Sequence, residues 1–317
     1  MKDAGVVYIG IDVSKETLDI DAGDLGAMKI GNAPAEIRKA LKALARKAQG
    51  RALHACFEST GAYHGALAAE CPAMGVAYSV LNPWKAACFA KSVANAKTDR
   101  IDASVIRRFA ETRRPKPTPP RGKTAALLGE LVLSRDAIMK NIVALRSLIE
   151  TVKSPAAAKP MRKAIARDEK TVAEYDRLVA EALKADAGID GLAKALGEVK
   201  GVGALTAAKI VAWMPEIGTL GRRGAAALAG LAPRTRESGQ WKGRSFIGGG
   251  RKGVRDALFM PATVAIRFDP EMRRFHAGLM ARGKPYKVAL TAVMRKMICH
   301  LDAVAKTYRD RREGASA

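Results

Sequence analysis

The chain has 317 residues, a length that suggests roughly two domains, and 48% of them are hydrophobic, enough to bury a sizeable core. Lys and Arg total 55 against 31 Asp and Glu, a formal charge of +24, so the working partner is expected to be polyanionic, with nucleic acid first among candidates. No apolar run is long enough to span a bilayer, which excludes a membrane role and predicts a soluble globular protein.

The opening MKDAGVVYIGID lacks the apolar core of a signal peptide. Cys56, Cys71, Cys88 and Cys299 show no CxxC pairing, so reduced, buried thiols in a cytoplasm are expected rather than a disulfide framework or a zinc knuckle. Residues 1–113 alternate short apolar runs with helical stretches. Val6 to Val13 and Thr17 to Gly23 read as strands joined by a tight turn, and Ala27 to Ile30 as a third. A helix from Pro34 to Lys47 follows, then a strand from Ala52 to Glu58 and a helix through Tyr63 to Ala69. Next come a strand from Val76 to Leu81, a helix opening at Asn82-Pro83, and a helix from about Thr98 to Thr112. The order βββαβαβα is α/β with a meander and fits an RNase H-like fold better than a doubly wound sheet, which would begin βαβ.

Arg114 to Lys123 holds four prolines in ten residues and reads as a linker. In residues 124–197 apolar positions step by 3 and 4 through Leu128, Leu131, Arg135, Ile138, Ile142, Leu145, Ile149 and Val152, with one polar break. A second seam runs through Met161, Ile165, Asp168, Val172, Tyr175 and Val179. This predicts a helical hairpin of coiled-coil type, folded on itself or paired with another copy, with an ordinary amphipathic helix pair inside one globule as the alternative. Residues 198–317 are mainly helical and carry 23 basic residues against 9 acidic, most of the excess charge. Within them Lys200 to Met214 reads either as a helix-hairpin-helix element, in which Lys200, Gly201 and Gly203 would meet a phosphate at a helix N-terminus, or as a plain helix-turn-helix in a core.

Four acids in the first domain are the candidates for the chemistry, against the alternative that Asp99 caps a helix, Asp102 is a solvated first-turn acid and Asp12 forms a turn. Asp12 ends one apolar strand, in YIGIDVSK, and Glu58 ends another, in CFESTG; acids at the C-terminal ends of two strands of one sheet can converge. Asp99 and Asp102, in KTDRIDASVI, are spaced i, i+3 and share a helix face. Clustered carboxylates repel unless hard cations neutralise them, and Mg²⁺ prefers oxygen ligands. In nucleic-acid enzymes two such ions flank the scissile phosphate.

Together YIGIDVSK, FESTGAYH, KTDRIDA and, near the C-terminus, GLAPRTRESGQWKGR and GGGRKGVRDAL resemble the DEDD-type insertion-sequence transposases, also called bridge-RNA-guided recombinases, in the same order over nearly the whole chain. The resemblance implies a RuvC-like domain with Asp12, Glu58, Asp99 and Asp102 as its metal-binding tetrad for two Mg²⁺ ions. It also implies Ser238, in RESGQ, as a catalytic serine in the basic C-terminal domain, with Ser245 a nearby rival. Arg234, Arg236, Lys242 and Arg244 would stabilise the charge on the attacked phosphate, and Arg251 and Lys252 extend this basic, glycine-rich stretch along a nucleic-acid backbone. Ser238, reaching in from the other domain or from another subunit, would form a phosphoserine linkage that conserves phosphodiester energy.

Donor and target DNA, a noncoding guide RNA, assembly as a homodimer or homotetramer, and a nucleoid-associated location in a prokaryotic cytoplasm follow from the same resemblance. Two competing readings remain. One is a junction-resolving nuclease that uses the carboxylates and metal-activated water, with no serine adduct. The other is a non-catalytic binding scaffold whose acids are structural.

Overall fold

β1 (Val7–Val13) forms the centre of a five-stranded sheet of order β3-β2-β1-β4-β5. The computed structural model describes residues 5–59, 63–81, 86–90, 99–119, 122–235, 237–238, 241–243 and 245–315, with the side chains of 99–102, 237–238 and 241–242 outside the description. These residues form two units, Met1–Pro120 and Arg121–Ala317.

In the first unit β2 (Thr17–Asp21) and β3 (Ala27–Gly31) continue β1 as an antiparallel meander, while β4 (Leu53–Glu58) and β5 (Ala77–Leu81) lie parallel on its other side. This order, mixed α/β with three antiparallel strands followed by two parallel ones, is RNase H-like. β1 is covered on both faces: Val7, Ile9, Ile11 and Val13 make one face apolar, and Tyr8, Gly10 and Asp12 alternate onto the other. On one face Ile9, Ile11, Leu18, Ala55 and Phe57 pack with Ile37, Leu41 and Leu44 of α1 (Pro34–Ala48) and Leu67 of α2 (Gly65–Ala73). Each large side chain buried there contributes about 1.5–3 kcal/mol. On the other face Cys56 and Leu81 meet Ile106, Phe109 and Ala110 of α4 (Asp99–Arg113), with Phe89 of α3 (residues 86–90) edge-on to Phe109. The expected helix start at Asn82-Pro83 lies outside the described residues.

The division between the two units falls within the proline-rich stretch, whose first part is bound to the first unit. Residues 114–119 run along the edge of β5, where Thr118 N donates to Tyr78 O (2.7 Å), Val80 N to Thr118 Oγ1 (3.0 Å) and Ser79 Oγ to Lys116 O (2.8 Å). His54 Nε2 joins the same chain at Ser79 Oγ, 2.8 Å away. Prolines at 115, 117 and 119 remove every other donor, but a strand edge needs only alternate residues to bind, and the strap closes an edge otherwise open to pairing.

The second unit opens with the long antiparallel pair α5 (Lys123–Thr151) and α6 (Pro155–Lys184). The base of this hairpin shares one core with the helices that follow. Leu128, Val132, Val179 and Leu183 pack with Leu196 of α7 (Ala187–Gly197), Ile210 of α8 (Ala204–Trp213), Ala225 of α9 (Gly221–Leu228), Val254 of α10 (Lys252–Ala257), Ala262 of α11 (Phe259–Phe268), Met272 of α12 (Pro270–Ala281) and Leu301 of α13 (Tyr286–Gly314). The two polar residues in the hairpin seams are paired. Arg135 binds Asp176 through Nε (2.6 Å) and Nη2 (3.2 Å), and buried Asp168 accepts from Asn141 Nδ2 at 2.6 Å. Polar pairs inside an apolar seam specify register at some cost in stability. Asp168→Ala is therefore expected to lower stability by about 1–3 kcal/mol by stripping Asn141 and Arg167, which both donate to this carboxylate, of their acceptor. Thermal unfolding of the full chain checks this, and an unchanged midpoint would contradict it.

Among the described residues no helix is long and apolar enough to cross a membrane.

Candidate active site at the sheet edge

Side chains alternate across a strand, and the register decides which face each acid occupies. Ile9, Ile11 and Val13 of β1 and Leu53, Ala55 and Phe57 of β4 belong to the core on the α1 side. Tyr8, Gly10 and Asp12, and likewise His54, Cys56 and Glu58, therefore face α4. The strands pair in parallel up to Ile11 opposite Phe57, so Asp12 and Glu58 occupy the next step of the register on neighbouring strands, at the C-terminal edge of the sheet. Both are half-buried.

α4 crosses this face in unusually close contact with β1. A Cβ on Gly10 would lie 2.0 Å from Ala103 O and 2.4 Å from Arg107 N, so only glycine lets the helix backbone settle there. Arg107 anchors the crossing. Its Nε donates to Asp21 Oδ1 at 3.1 Å, on the residue opposite Gly10, and its Nη1 to Glu111 Oε1 at 2.5 Å. Burial works against the guanidinium charge, but Glu111 and Asp21 more than offset it and raise its pKa. Arg107 also lies beside Gly23, beyond Asp21 towards the start of β1, so α4 runs antiparallel to β1. Asp99 begins α4 four residues before Ala103, about 6 Å of helix. Gly10 and Asp12 are separated by about 6.6 Å of strand. The first turn of α4, with Asp99 and Asp102, thus lies at the edge that carries Asp12 and Glu58. Among the described residues no group of three His, Cys, Asp or Glu forms a metal cage, and the side chains of Asp99 and Asp102 lie outside that set.

Two further residues at this edge escaped the sequence reading. Asp19 pairs with Asp12 across β1 and β2, and its carboxylate takes Lys29 Nζ at 2.9 Å, which relieves repulsion against Asp12. Asn32 donates from Nδ2 to Ser14 O and to Tyr63 O, both at 2.9 Å, so one amide ties the turn after Asp12 to the segment after Glu58. The helix from Pro34 was expected, but the long-range tie just before it was not. Burial pushes the Cys56 thiol up to about 12, leaving it a protonated packing group.

In the second unit Ser238 lies in β6 (Glu237–Ser238), paired antiparallel with β7 (Trp241–Lys242), where Ser238 faces Trp241. Arg236 and Arg244 lie outside the described residues, as does the side chain of Lys242. Arg234 is half-buried and its backbone bridges Phe246. Ser245 and Lys200 are exposed.

Several residues expected to meet a phosphate are used internally. Gly201 has φ +91°, and a Cβ there would lie 2.6 Å from Pro261 O, so its role is close packing against α11; Gly203 caps α8 and is exposed. Arg251 gives both terminal nitrogens to Glu216 at 2.6 Å and donates to Trp213 O, which removes it from the set free to bind nucleic acid. Lys252 pairs with Asp256 one turn on. Gly250 lets its backbone pack against Leu228 O and Gly230 N, so the last of the three glycines serves a packed corner.

Residues 9–154 match the profile of the IS110-type DEDD transposases, and residues 193–277 match that of the transposase IS116/IS110/IS902 family. The first span contains Asp12, Glu58, Asp99 and Asp102, and the second contains Ser238. The chain is also similar to the pilin gene-inverting proteins of Moraxella lacunata and Moraxella bovis. Each is 26% identical over 312 residues, covering 95% of this chain and 96% of the relative.

Proposed function

Because the chain belongs to the IS110-type DEDD transposases, and so is an enzyme of DNA transposition or recombination, we propose that it cuts and rejoins DNA strands with a carboxylate tetrad and a serine nucleophile. The observation that carries this is the α4-facing edge of the sheet. Asp12 and Glu58 stand side by side there on β1 and β4, and the first turn of α4 reaches the same edge.

The donors are all hard carboxylate oxygens, the set that suits Mg²⁺. Asp12, Glu58, Asp99 and Asp102 would hold two such ions, which when bound polarise the scissile phosphate. Before DNA arrives the protein's own task is to keep these like charges together, and the Gly10 crossing, the Arg107 anchor and the Asn32 tie serve that end.

Ser238 is the proposed nucleophile. Its Oγ forms a bond to phosphorus as one ribose P–O bond breaks; the hydroxyl proton leaves to solvent and the released oxygen takes one up. Attack by a different strand's hydroxyl reverses the step, so joining needs no nucleotide cofactor. The same conservative exchange suits inversion, the reaction named for the Moraxella relatives. Arg234, Arg236, Lys242, Arg244 and Lys200 are proposed to hold the DNA backbone. A noncoding RNA encoded beside the gene is proposed to choose donor and target, a role compatible with a +24 chain. Assembly as a dimer or tetramer is supported by Leu133, Val143 and Leu148, exposed along α5.

The test is a recombination assay of the full chain on donor and target DNA with the flanking noncoding RNA and Mg²⁺. Wild-type protein is expected to join strands and to leave a protein–DNA adduct on denaturing gels, and Ser238→Ala to give neither. Cleavage by Ser238→Ala at the wild-type rate would replace the serine reading with hydrolysis by the carboxylates alone.

A further inference from the structure

The outer face of α1 carries a cluster of cations that the proposed chemistry does not use. Arg38, Lys39, Lys42, Arg46 and Lys47 are exposed, while Ile37, Leu41 and Leu44 are buried against the sheet. Arg38 pairs with Glu70 of α2 at 2.6 Å, and Lys47 donates to Leu25 O at 3.0 Å. Lys39, Lys42 and Arg46 have no acidic partner among the described residues.

Their arrangement is that of a track. Arg38, Lys42 and Arg46 form one i, i+4 row, and Ala35, Lys39 and Ala43 form the row beside it. Ala35, Arg38, Lys39, Lys42, Ala43 and Arg46 line one shallow groove. The alanines keep its floor low and the long side chains make its walls. The eight steps from 38 to 46 make about 12 Å of helix, the axial rise of roughly three to four phosphate steps along one DNA strand. Like charges at i, i+4 oppose helix formation, so a face needed only for solubility would intersperse acids. An anionic ligand removes that repulsion.

The groove also begins at the end of the sheet that carries the carboxylates, on its opposite face. Asn32, whose amide ties the segments following Asp12 and Glu58, stands two residues before Pro34 opens α1. A backbone engaged at the sheet edge and continuing past Asn32 meets Arg38 and Lys39 first, then Lys42, then Arg46.

We propose that α1 is a second DNA contact surface, on which Lys39, Lys42, Arg46 and the open side of Arg38 hold the phosphodiester backbone of the duplex being cut, without base contacts. This rests on the assignment of strand cleavage to the sheet edge and places a substrate track on the N-terminal unit. Sequence-independent backbone contact has a defined signature. Each phosphate neutralised adds about 0.9 to the slope of log affinity against log salt concentration.

The experiment uses the full chain with Lys39→Gln, Lys42→Gln and Arg46→Gln combined, all surface positions, with circular dichroism to confirm folding. Binding to two duplexes of unrelated sequence is measured across about 50–200 mM salt, the range over which such contacts are lost. The expected result is a slope reduced by about 2–3, the sum over three phosphates at that increment, with equal weakening for both duplexes. Cleavage is expected to recover at saturating DNA, so that KM rises while kcat holds. An unchanged slope overturns the proposal, as does a loss confined to one duplex or to a structured RNA with DNA binding intact. Failure of the cleavage assignment shows separately, as wild-type cleavage by Asp12→Asn.

Discussion

Asp12→Asn is expected to lower strand cleavage by at least about 10³-fold, ~4 kcal/mol of transition-state stabilisation, without unfolding the protein. Asn keeps the shape of the side chain and its half-buried place at the end of β1, and removes only charge and donor strength. Wild-type protein should gain thermal stability on addition of Mg²⁺, because binding to the folded state stabilises it, and Asp12→Asn should gain much less. Glu58→Gln is expected to behave alike. Full cleavage by either variant, or an equal Mg²⁺-induced shift in unfolding temperature, would return these acids to a structural role.

What could be read from the chain beforehand divides along a physical line. The strands of the first unit and the long helices of the second announce themselves through local periodicity, because alternation and the 3–4 step are set within a few residues. Asp12 and Glu58 were legible as acids at strand ends for the same reason. That they share a face was not, since facing depends on the register of β1 against β4, which no local pattern contains. The strap of residues 114–119 was read as a linker because prolines discourage regular structure; its bonds to Tyr78, Ser79 and Val80 depend on an edge far away in sequence. Arg251 and the glycine-rich stretch before it looked like phosphate contacts for a related reason. An arginine's partner thirty-five residues off, such as Glu216, and a backbone approach such as Gly250 to Leu228, are tertiary facts. Charge and glycine content predict nucleic-acid contact only after such internal uses are subtracted.

Gly10 is the position where packing and chemistry are most tightly joined, and Gly10→Ala is the second large effect expected. The added methyl would sit 2.0 Å from Ala103 O, 2.4 Å from Arg107 N and 2.9 Å from Arg107 Cβ. Ordinary contact of a carbon with oxygen needs more than about 3 Å, so α4 must withdraw by roughly 1 Å or tilt; overpacking of this kind costs typically about 1–3 kcal/mol. Two of the three obstructing atoms are main chain, so no side-chain replacement on α4 relieves the clash. The displaced helix carries Asp99 and Asp102 in its first turn, and a misplacement of about 1 Å at a catalytic constellation is enough for a 10²-fold loss. Cleavage by Gly10→Ala should therefore fall by about 10²-fold or more at temperatures where the variant is fully folded. The control is Leu44→Ala, at a fully buried site on the opposite face of the sheet, which should cost about 2–5 kcal/mol. A comparable loss of stability there should leave cleavage nearly intact. If Gly10→Ala and Leu44→Ala lose activity only in proportion to their loss of stability, the close crossing of α4 over β1 serves packing alone.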